Sequence, residues 1–273
     1  MTLVKELKLI ASRIRQDVVK SLAAAGSGHS AGSLGMADVM AALYFNLLKH
    51  NPADPFWAQR DRLILSNGHI CPLRYACMAR SGYFAVSELF TLRKLGSRLQ
   101  GHPSRVDMPA LEASTGSLGQ GVCIAVGMAL AAKLDKKKHF VYCITSDGEH
   151  DEGSTWEAIN GANKWKLDNL IFILDRNKIQ ISGSTERVWP LESLKEKYLA
   201  FGWKVFEING HDFKQIIKTV EKARKIKGKP KVIIAHVVPG KGVSFMEGKH
   251  EWHGKVPGKE EAAKAVEELK RSY

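Results

Sequence analysis

Short apolar runs alternate with helix-like segments over residues 139–238. The runs "HFVYCIT", "NLIFILD", "KVFEI" and "KVIIAHVV" are typical of strands, and "STWEAINGANKW", "LESLKEKYLAFG" and "FKQIIKTVEKARKI" lie between them with helical patterns. Strands that alternate with helices typically pair in parallel, and the nearly continuous apolar runs at 169–175 and 231–238 suit strands buried on both faces. The predicted fold class is therefore α/β, with a mostly parallel sheet and helices on both faces.

The rest of the chain extends the same pattern. A further strand is predicted at "DRLILS" and helices at "LGMADVMAALYFNLL", "GVCIAVGMALAAK" and "KEEAAKAVEELKRS". Apolar residues also recur at helical spacing near the N-terminus, namely Leu7, Ile10, Ala11, Ile14 and Val18. No linker, repeat or low-complexity tract interrupts the 273 residues, a length that suits one large core. A single domain over residues 1–273 is predicted.

The composition indicates which partners and which cellular location to expect. No run of 18 apolar residues occurs, so no contact with a membrane interior is expected. The N-terminal segment "MTLVKELKLIASRIRQDVVKSL" mixes charges with apolar residues, unlike a secretory signal, so a cytoplasmic location is expected. The net charge of +13 suits phosphorylated small molecules. Its clusters at 136–138 and 222–231 lack interleaved aromatic residues, so nucleic acid is not predicted as a partner.

Polar or glycine-rich residues follow four of the predicted strands. They are the segments "NGH" at 67–69, "SDGE" at 146–149, "RN" at 176–177 and "PGKG" at 239–242. In open parallel sheets, ligands bind beyond the carboxyl ends of the strands. Ordinary turn chemistry would explain each segment taken separately.

Asp147 and Asn177 are separated by one strand–helix–strand step, which would bring them to neighbouring strand ends. One carboxylate and one amide oxygen suit Mg²⁺ or Ca²⁺ when a phosphate completes the coordination. Gly148 would let backbone N–H groups approach that phosphate, and the next helix would point its N-terminus there. These residues predict a metal–diphosphate site, with a turn and a capped helix as the alternative.

The pattern from Asp147 to Asn177 resembles the thiamine diphosphate fingerprint, and the chain resembles the transketolase family from about residue 20 to 255. Five blocks carry the resemblance, in the family's order. They are "GSGHSAGSLGMADVMAALY", "DRLILSNGHICPLRYA", "GHPSRVDMPALEASTGSLGQGVCIAVGMALAAK", "SDGEHDEGSTWEAINGANKWKLDNLIFILDRNKIQISG" and "GKGVSFMEGKHEWHG". The resemblance implies a thiamine-diphosphate-binding fold.

The resemblance also implies roles for individual residues. The metal ligands would be Asp147, Asn177 and the backbone carbonyl of Ile179. The catalytic histidines around the sugar would be His29, His69, His102 and His253, of which His69 and His253 would also contact the cofactor. The remaining cofactor-binding residues would be Gly116, Ser117, Leu118, Gly148, Glu149, Glu152 and Glu157. For Glu157, an exposed helix position is the alternative. The other histidines, namely His50, His139, His150, His211, His236 and His250, are interpreted as polar surface residues.

Three positions depart from the family pattern: Ser146 replaces a usual glycine, and Ser30 and Ser117 replace common prolines. A larger departure is that a full transketolase continues into a pyrimidine-binding half. The resemblance therefore implies the N-terminal subunit of a split transketolase that transfers a two-carbon unit between sugar phosphates. An α2β2 heterotetramer with a separate C-terminal subunit is expected. The alternatives are the α subunit of a 2-oxo acid dehydrogenase, a transketolase for another sugar phosphate, and a basic binding module.

Overall fold

The computed structural model describes residues 1–271, and within this range five parallel strands form one sheet in the order β1-β2-β3-β7-β6. These strands are β1 (Arg62–Leu65), β2 (Val141–Ser146), β3 (Leu170–Arg176), β6 (Lys204–Asn209) and β7 (Lys231–His236). A short antiparallel hairpin contains β4 (Ile179–Gln180) and β5 (Gly183–Ser184). The parallel α/β sheet is therefore confirmed. The predicted domain, 1–273, extends two residues beyond the described range.

The structure has helices in the segments that the sequence pattern indicates, and two more, at Cys71–Arg80 and Thr185–Val188, that were not predicted. The helices are α1 (Leu3–Ala25), α2 (Ala31–Gly35), α3 (Ala37–Ala42), α4 (Cys71–Arg80), α5 (Gln120–Leu134), α6 (Gly153–Lys164), α7 (Thr185–Val188), α8 (Leu194–Ala200), α9 (Phe213–Lys225) and α10 (Lys259–Arg271). Short 3₁₀ turns cover Gly68–Ile70, Val86–Thr91, Gly148–Asp151 and His250–Trp252. No helix among residues 1–271 is long and apolar enough to cross a membrane.

Successive strand residues bury their side chains in two separate clusters on opposite faces of the sheet. In β3, Phe172 and Leu174 belong to a cluster with apolar residues of α5, α6 and α8. Ile171 and Ile173 belong to the other cluster, with α1, α3, α4, α9 and α10. Because side chains alternate along a strand, a strand covered on both faces has to be apolar at every position.

The helix predicted over "LGMADVMAALYFNLL" is divided in the structure. Helix α2 ends at Gly35, α3 follows Met36, and a π-helical turn covers Leu43–Leu47. A Cβ at Gly35 would lie 3.1 Å from the carbonyl oxygen of Val238, so the chain after β7 packs directly on this break. Helical periodicity is a local property and carries no sign of this long-range contact.

His150 is buried, which differs from the predicted polar surface position. Its Nδ1 lies 2.8 Å from the Ser146 carbonyl oxygen and its Nε2 lies 2.8 Å from the Tyr198 hydroxyl. The ring therefore donates to the carbonyl and accepts from the hydroxyl, as a neutral imidazole does. Burial lowers the pKa of His150 to about 4, so the folded state excludes the proton.

We predict that His150 makes the folded chain sensitive to acid. The unfolded state takes up this proton below pH about 6.5, whereas the folded state takes it up only near pH 4. The contribution is complete above pH 6.5 and is lost as the pH falls towards 4, at a cost of about 3 kcal/mol. Between pH 6.5 and 4, urea denaturation should therefore show a smaller loss of unfolding free energy for His150→Gln than for the wild type.

His236→Gln is the matched control, because His236 lies at an exposed end of β7. It should keep the wild-type pH dependence. An unchanged pH dependence in His150→Gln would contradict the assignment of the acid sensitivity to His150.

Candidate active site

The carboxyl ends of β2 and β3 bring Asp147 beside the segment 175–177. Ser146 pairs with Asp175 in the register of the sheet, and the Asp147 N–H donates to the Asp175 carbonyl at 3.1 Å. The Asp147 carboxylate accepts from the N–H groups of Gly148 at 2.8 Å and Lys178 at 2.6 Å, and from Arg176 at 3.0 Å. Burial raises the pKa of Asp147, while the Lys178 N–H and Arg176 oppose the rise. The structure thus brings the predicted pair, Asp147 and Asn177, to one edge.

Asn177 is fixed by the chain on both sides. Its Oδ1 accepts from the Ile179 N–H at 2.9 Å, and its Nδ2 donates to Asp175 Oδ1 at 3.0 Å. Lys178 between Asn177 and Ile179 has a φ of 64°, which turns the backbone sharply. The turn leaves the Asn177 amide and Ile179 on the wall of one cavity with Asp147.

That cavity has a volume of about 390 Å³ and contains most of the predicted site residues. It is lined by His29, His69, His102, Gly116, Leu118, Ser146, Asp147, Gly148, Asn177, Ile179, Gln180, Ile181, Ser182 and His253. Gly148 lies close to the hairpin, since a Cβ there would be 3.2 Å from the Gln180 side chain. Gln180 is itself held by a hydrogen bond to Asp151 at 2.8 Å.

Four histidines from four separate segments meet at one end of the cavity. Ring centroids lie 5.1 Å apart for His29 and His69, 5.1 Å for His69 and His253, and 5.6 Å for His29 and His253. His102 lies 6.3 Å from His29. We name these four residues the histidine cluster. They converge only through the fold, because 224 positions separate the first from the last.

The histidine cluster is neutral near pH 7. Burial, followed by the charge of His253, lowers the pKa of His29 to about 4. Burial also lowers the pKa of His69, His102 and His253. Among the described residues, His29 Nδ1 is buried without a hydrogen-bond partner. An unpaired ring nitrogen at a cavity wall is available to a polar ligand.

The glycines of this region permit close packing around His102. A Cβ at Gly116, where φ is 140°, would lie 2.7 Å from the His102 ring. A Cβ at Gly68 would lie 2.9 Å from the Gly116 backbone. Gly116 and Leu118 line the cavity, whereas Ser117 is exposed and does not.

The three predicted glutamates do not line the cavity. Glu149 is completely buried and accepts hydrogen bonds from Ser66 and Thr145. It also accepts from the Gly119 N–H at 2.8 Å, so it joins the ends of β1 and β2 to the start of α5. Glu152 and Glu157 are exposed at and within α6. A cofactor role for all three stays a prediction.

Several residues at this edge of the sheet were not predicted as site residues from the sequence. The hairpin residues Gln180, Ile181 and Ser182 line the cavity, although "IQIS" reads as an ordinary strand end. Asp175 is fully buried, and within the described chain its Oδ2 has no hydrogen-bond partner. Asp175 ends the apolar run "NLIFILD", and this position at a strand end could have indicated a site residue.

A metal at this edge would have few protein ligands. Across residues 1–271, no three His, Cys, Asp or Glu side chains are grouped to hold a metal ion. Other lining residues also carry side-chain oxygens, namely Ser146, Gln180 and Ser182. The predicted metal ligands among the lining residues are Asp147, Asn177 and Ile179. This set suits Mg²⁺ or Ca²⁺ when phosphate and water supply the other ligands.

Comparison with known proteins agrees with this geometry. Residues 7–272 match the family described as "Transketolase, thiamine diphosphate binding domain". The chain is 41% identical over 266 residues to an apulose-4-phosphate transketolase subunit of Phocaeicola vulgatus, with 97% of this chain and 94% of that protein covered. It is 43% identical to the 6-deoxy-6-sulfo-D-fructose transketolase subunit SqwG of Clostridium sp., covering 97% of each.

Other transketolases extend well beyond the matched region. Human transketolase is 39% identical over 265 residues, which is 96% of this chain and 42% of the human protein. The transketolase structure from Campylobacter jejuni superposes with a TM-score of 0.92 at 38% identity, covering 99% of this chain and 43% of that one. This chain therefore spans about two fifths of the longer transketolases. It belongs to the transketolase family and contains the family's thiamine diphosphate binding domain.

Proposed function

We propose that this chain holds the diphosphate end of thiamine diphosphate, with a divalent metal ion, in a two-chain transketolase. One observation carries the proposal. A single cavity joins Asp147, Gly148 and Asn177 to the histidine cluster. The first three residues suit a metal and a diphosphate, and the histidines suit the hydroxyl and carbonyl oxygens of a sugar.

The cavity wall fits a metal–diphosphate group on two grounds. The Asp147 carboxylate is already fixed by three donors, so its orientation would be set before a metal arrives. Gly148 lines the cavity and has no side chain, so its backbone N–H can come close to a phosphate there. Asp147, Asn177 and the Ile179 carbonyl would hold the metal, and Mg²⁺ or Ca²⁺ suits these oxygens.

The histidine cluster would act on the sugar. When bound, thiamine diphosphate supplies the carbanion chemistry that accepts the two-carbon unit. A neutral imidazole carries one N–H donor and one acceptor nitrogen. His29, His69, His102 and His253 would therefore hold sugar oxygens in place and move protons at them. The unpaired Nδ1 of His29 marks one position for such a contact.

The remaining half of the site would come from a partner protein. The two relatives named as transketolase subunits are covered over nearly their full length, whereas the longer transketolases continue well beyond the matched part. We therefore infer that a C-terminal, pyrimidine-binding subunit completes the enzyme as an α2β2 heterotetramer. The substrates would be a ketose phosphate donor and an aldose phosphate acceptor. Two relatives are named for different sugars, apulose 4-phosphate and a sulfonated fructose, so several ketose donors should be tested with this chain.

We predict that the purified chain has negligible transketolase activity by itself. The addition of the C-terminal subunit should restore turnover, because the partner would complete the site. Activity is measured as the aldose phosphate that xylulose 5-phosphate or another ketose phosphate releases when its two-carbon unit passes to an added aldose phosphate acceptor, with thiamine diphosphate and Mg²⁺ present. Pyruvate serves as the control substrate and should not react. Robust turnover by the isolated chain would rule out the two-chain proposal.

We predict that Asp147→Ala removes metal-dependent binding of thiamine diphosphate to the assembled enzyme. The substitution deletes the charged oxygen of the site, and loss of one metal ligand should weaken binding at least about 100-fold. Calorimetric titration of the cofactor, with and without Mg²⁺, measures the effect.

Asp135→Ala is the charge-matched control, since Asp135 lies exposed at the end of α5. It should bind as the wild type does. Circular dichroism of each assembled variant checks the fold, because Asp147 also holds the Lys178 N–H. Unchanged cofactor affinity in folded Asp147→Ala enzyme would contradict the role of Asp147 as a metal ligand.

A further inference from the structure

A second polar cavity lies at the opposite edge of the sheet, where β1 and β2 begin. It has a volume of about 490 Å³ and is lined by Lys49, Trp57, Lys136, Lys137, Lys138 and His139, with Ala58 and Gln59. We name it the lysine pocket. Strand β2 has six residues, so the pocket lies about 20 Å from Asp147 at the other end of that strand. It is separate from the candidate active site.

The lysine pocket carries positive charge that the chain does not neutralise. Among the described residues, no ion pair and no hydrogen bond includes the ammonium group of Lys49, Lys136, Lys137 or Lys138. The described residues that line the cavity include no carboxylate. Cations gathered around a cavity without counter-charges attract anions.

The nearby acid Asp61 does not cancel this charge. It is buried, and its oxygens accept from the N–H groups of Phe140 at 2.9 Å and Lys49 at 3.0 Å. Arg224 lies 3.7 Å from the same carboxylate. Burial and the charge of Arg62 lower the pKa of His139, which agrees with a positive potential at this edge.

Trp57 adds an aromatic surface to the lysine pocket. Its side chain is partly exposed, and in the described part of the chain no aromatic pair or cation–π pair includes it. Aromatic side chains with a free face stack on nucleobases. Lysines beside such a face suit a ligand that combines a ring with phosphates.

We propose that the lysine pocket binds a nucleoside polyphosphate, with the phosphates on the lysines and the base against Trp57. The volume lies in the range of small-molecule sites. A single aromatic residue beside one lysine cluster fits one nucleotide better than an extended nucleic acid, which needs successive stacking platforms. The inference does not depend on the thiamine diphosphate proposal, because it concerns the other edge of the sheet.

The test titrates ATP and inorganic tripolyphosphate into the chain by calorimetry at low salt. The pocket variant combines Lys136→Gln, Lys137→Gln and Lys138→Gln. The matched control combines Lys225→Gln, Lys227→Gln and Lys229→Gln, which removes the same charge from another exposed basic run. ATP should bind at least about tenfold more weakly to the pocket variant and within about twofold of wild type to the control. Since both variants keep the Asp147 cavity, their difference isolates the pocket.

Trp57→Leu separates the base from the phosphates. It should weaken ATP about tenfold and leave tripolyphosphate unchanged, because only ATP has a ring to stack. Equal weakening by the pocket and control variants would overturn the proposal, and so would ATP affinity that Trp57→Leu does not change. An RNA oligonucleotide that binds more tightly than ATP, and loses this binding in the pocket variant, would also overturn it.

A second test uses the wild-type chain and needs no substitution. Bound ATP should protect residues 136–138 from chemical acetylation, read by mass spectrometry, while Lys225, Lys227 and Lys229 should react at an unchanged rate. Equal reactivity of residues 136–138 with and without ATP would contradict the proposal.

Discussion

The parallel pairing of β2 with β3 is the constraint on which the candidate active site depends. It sets Ser146 opposite Asp175 and continues one residue further, through the bond from the Asp147 N–H to the Asp175 carbonyl. A shift of one residue would reverse the faces of the strand and break the present contacts of Asp147 with residues 175–178. The register therefore positions the predicted metal-binding residues as well as the core.

The same edge buries several charged groups, and donors from the chain compensate for their burial. Asp147 accepts three hydrogen bonds, and Arg176 also pairs with Glu186 at 3.0 Å and with Glu192. Glu149 accepts from Ser66, Thr145 and the Gly119 N–H. Since a buried charge without partners is costly, these bonds hold the three loops in one arrangement. The edge is thus ordered before any ligand binds.

Local sequence patterns predicted the sheet and the metal-binding part of the candidate active site. The apolar runs located the strands, and the strand-end rule placed Asp147 and Asn177 together. The histidine cluster could be found only through the family resemblance, because nothing local links His29 to His253. The predicted surface position of His150 is wrong, since a histidine in a polar loop gives no sign of the Tyr198 hydroxyl that pairs with it. The hairpin at 179–184 was missed because its place over the cavity depends on the turn at Lys178.

Fold class, family and the types of residue available for chemistry could all be read from the order of the amino acids. Periodicity and strand-end composition are local properties, so they need no coordinates. Packing determined which side chains share a space. It left Ser117 and the three glutamates outside the lining of the cavity, and it gathered Trp57 with four lysines at the far edge. The reason is that a cavity is bounded by segments distant along the chain, whose meeting is set by packing and register over the whole sheet.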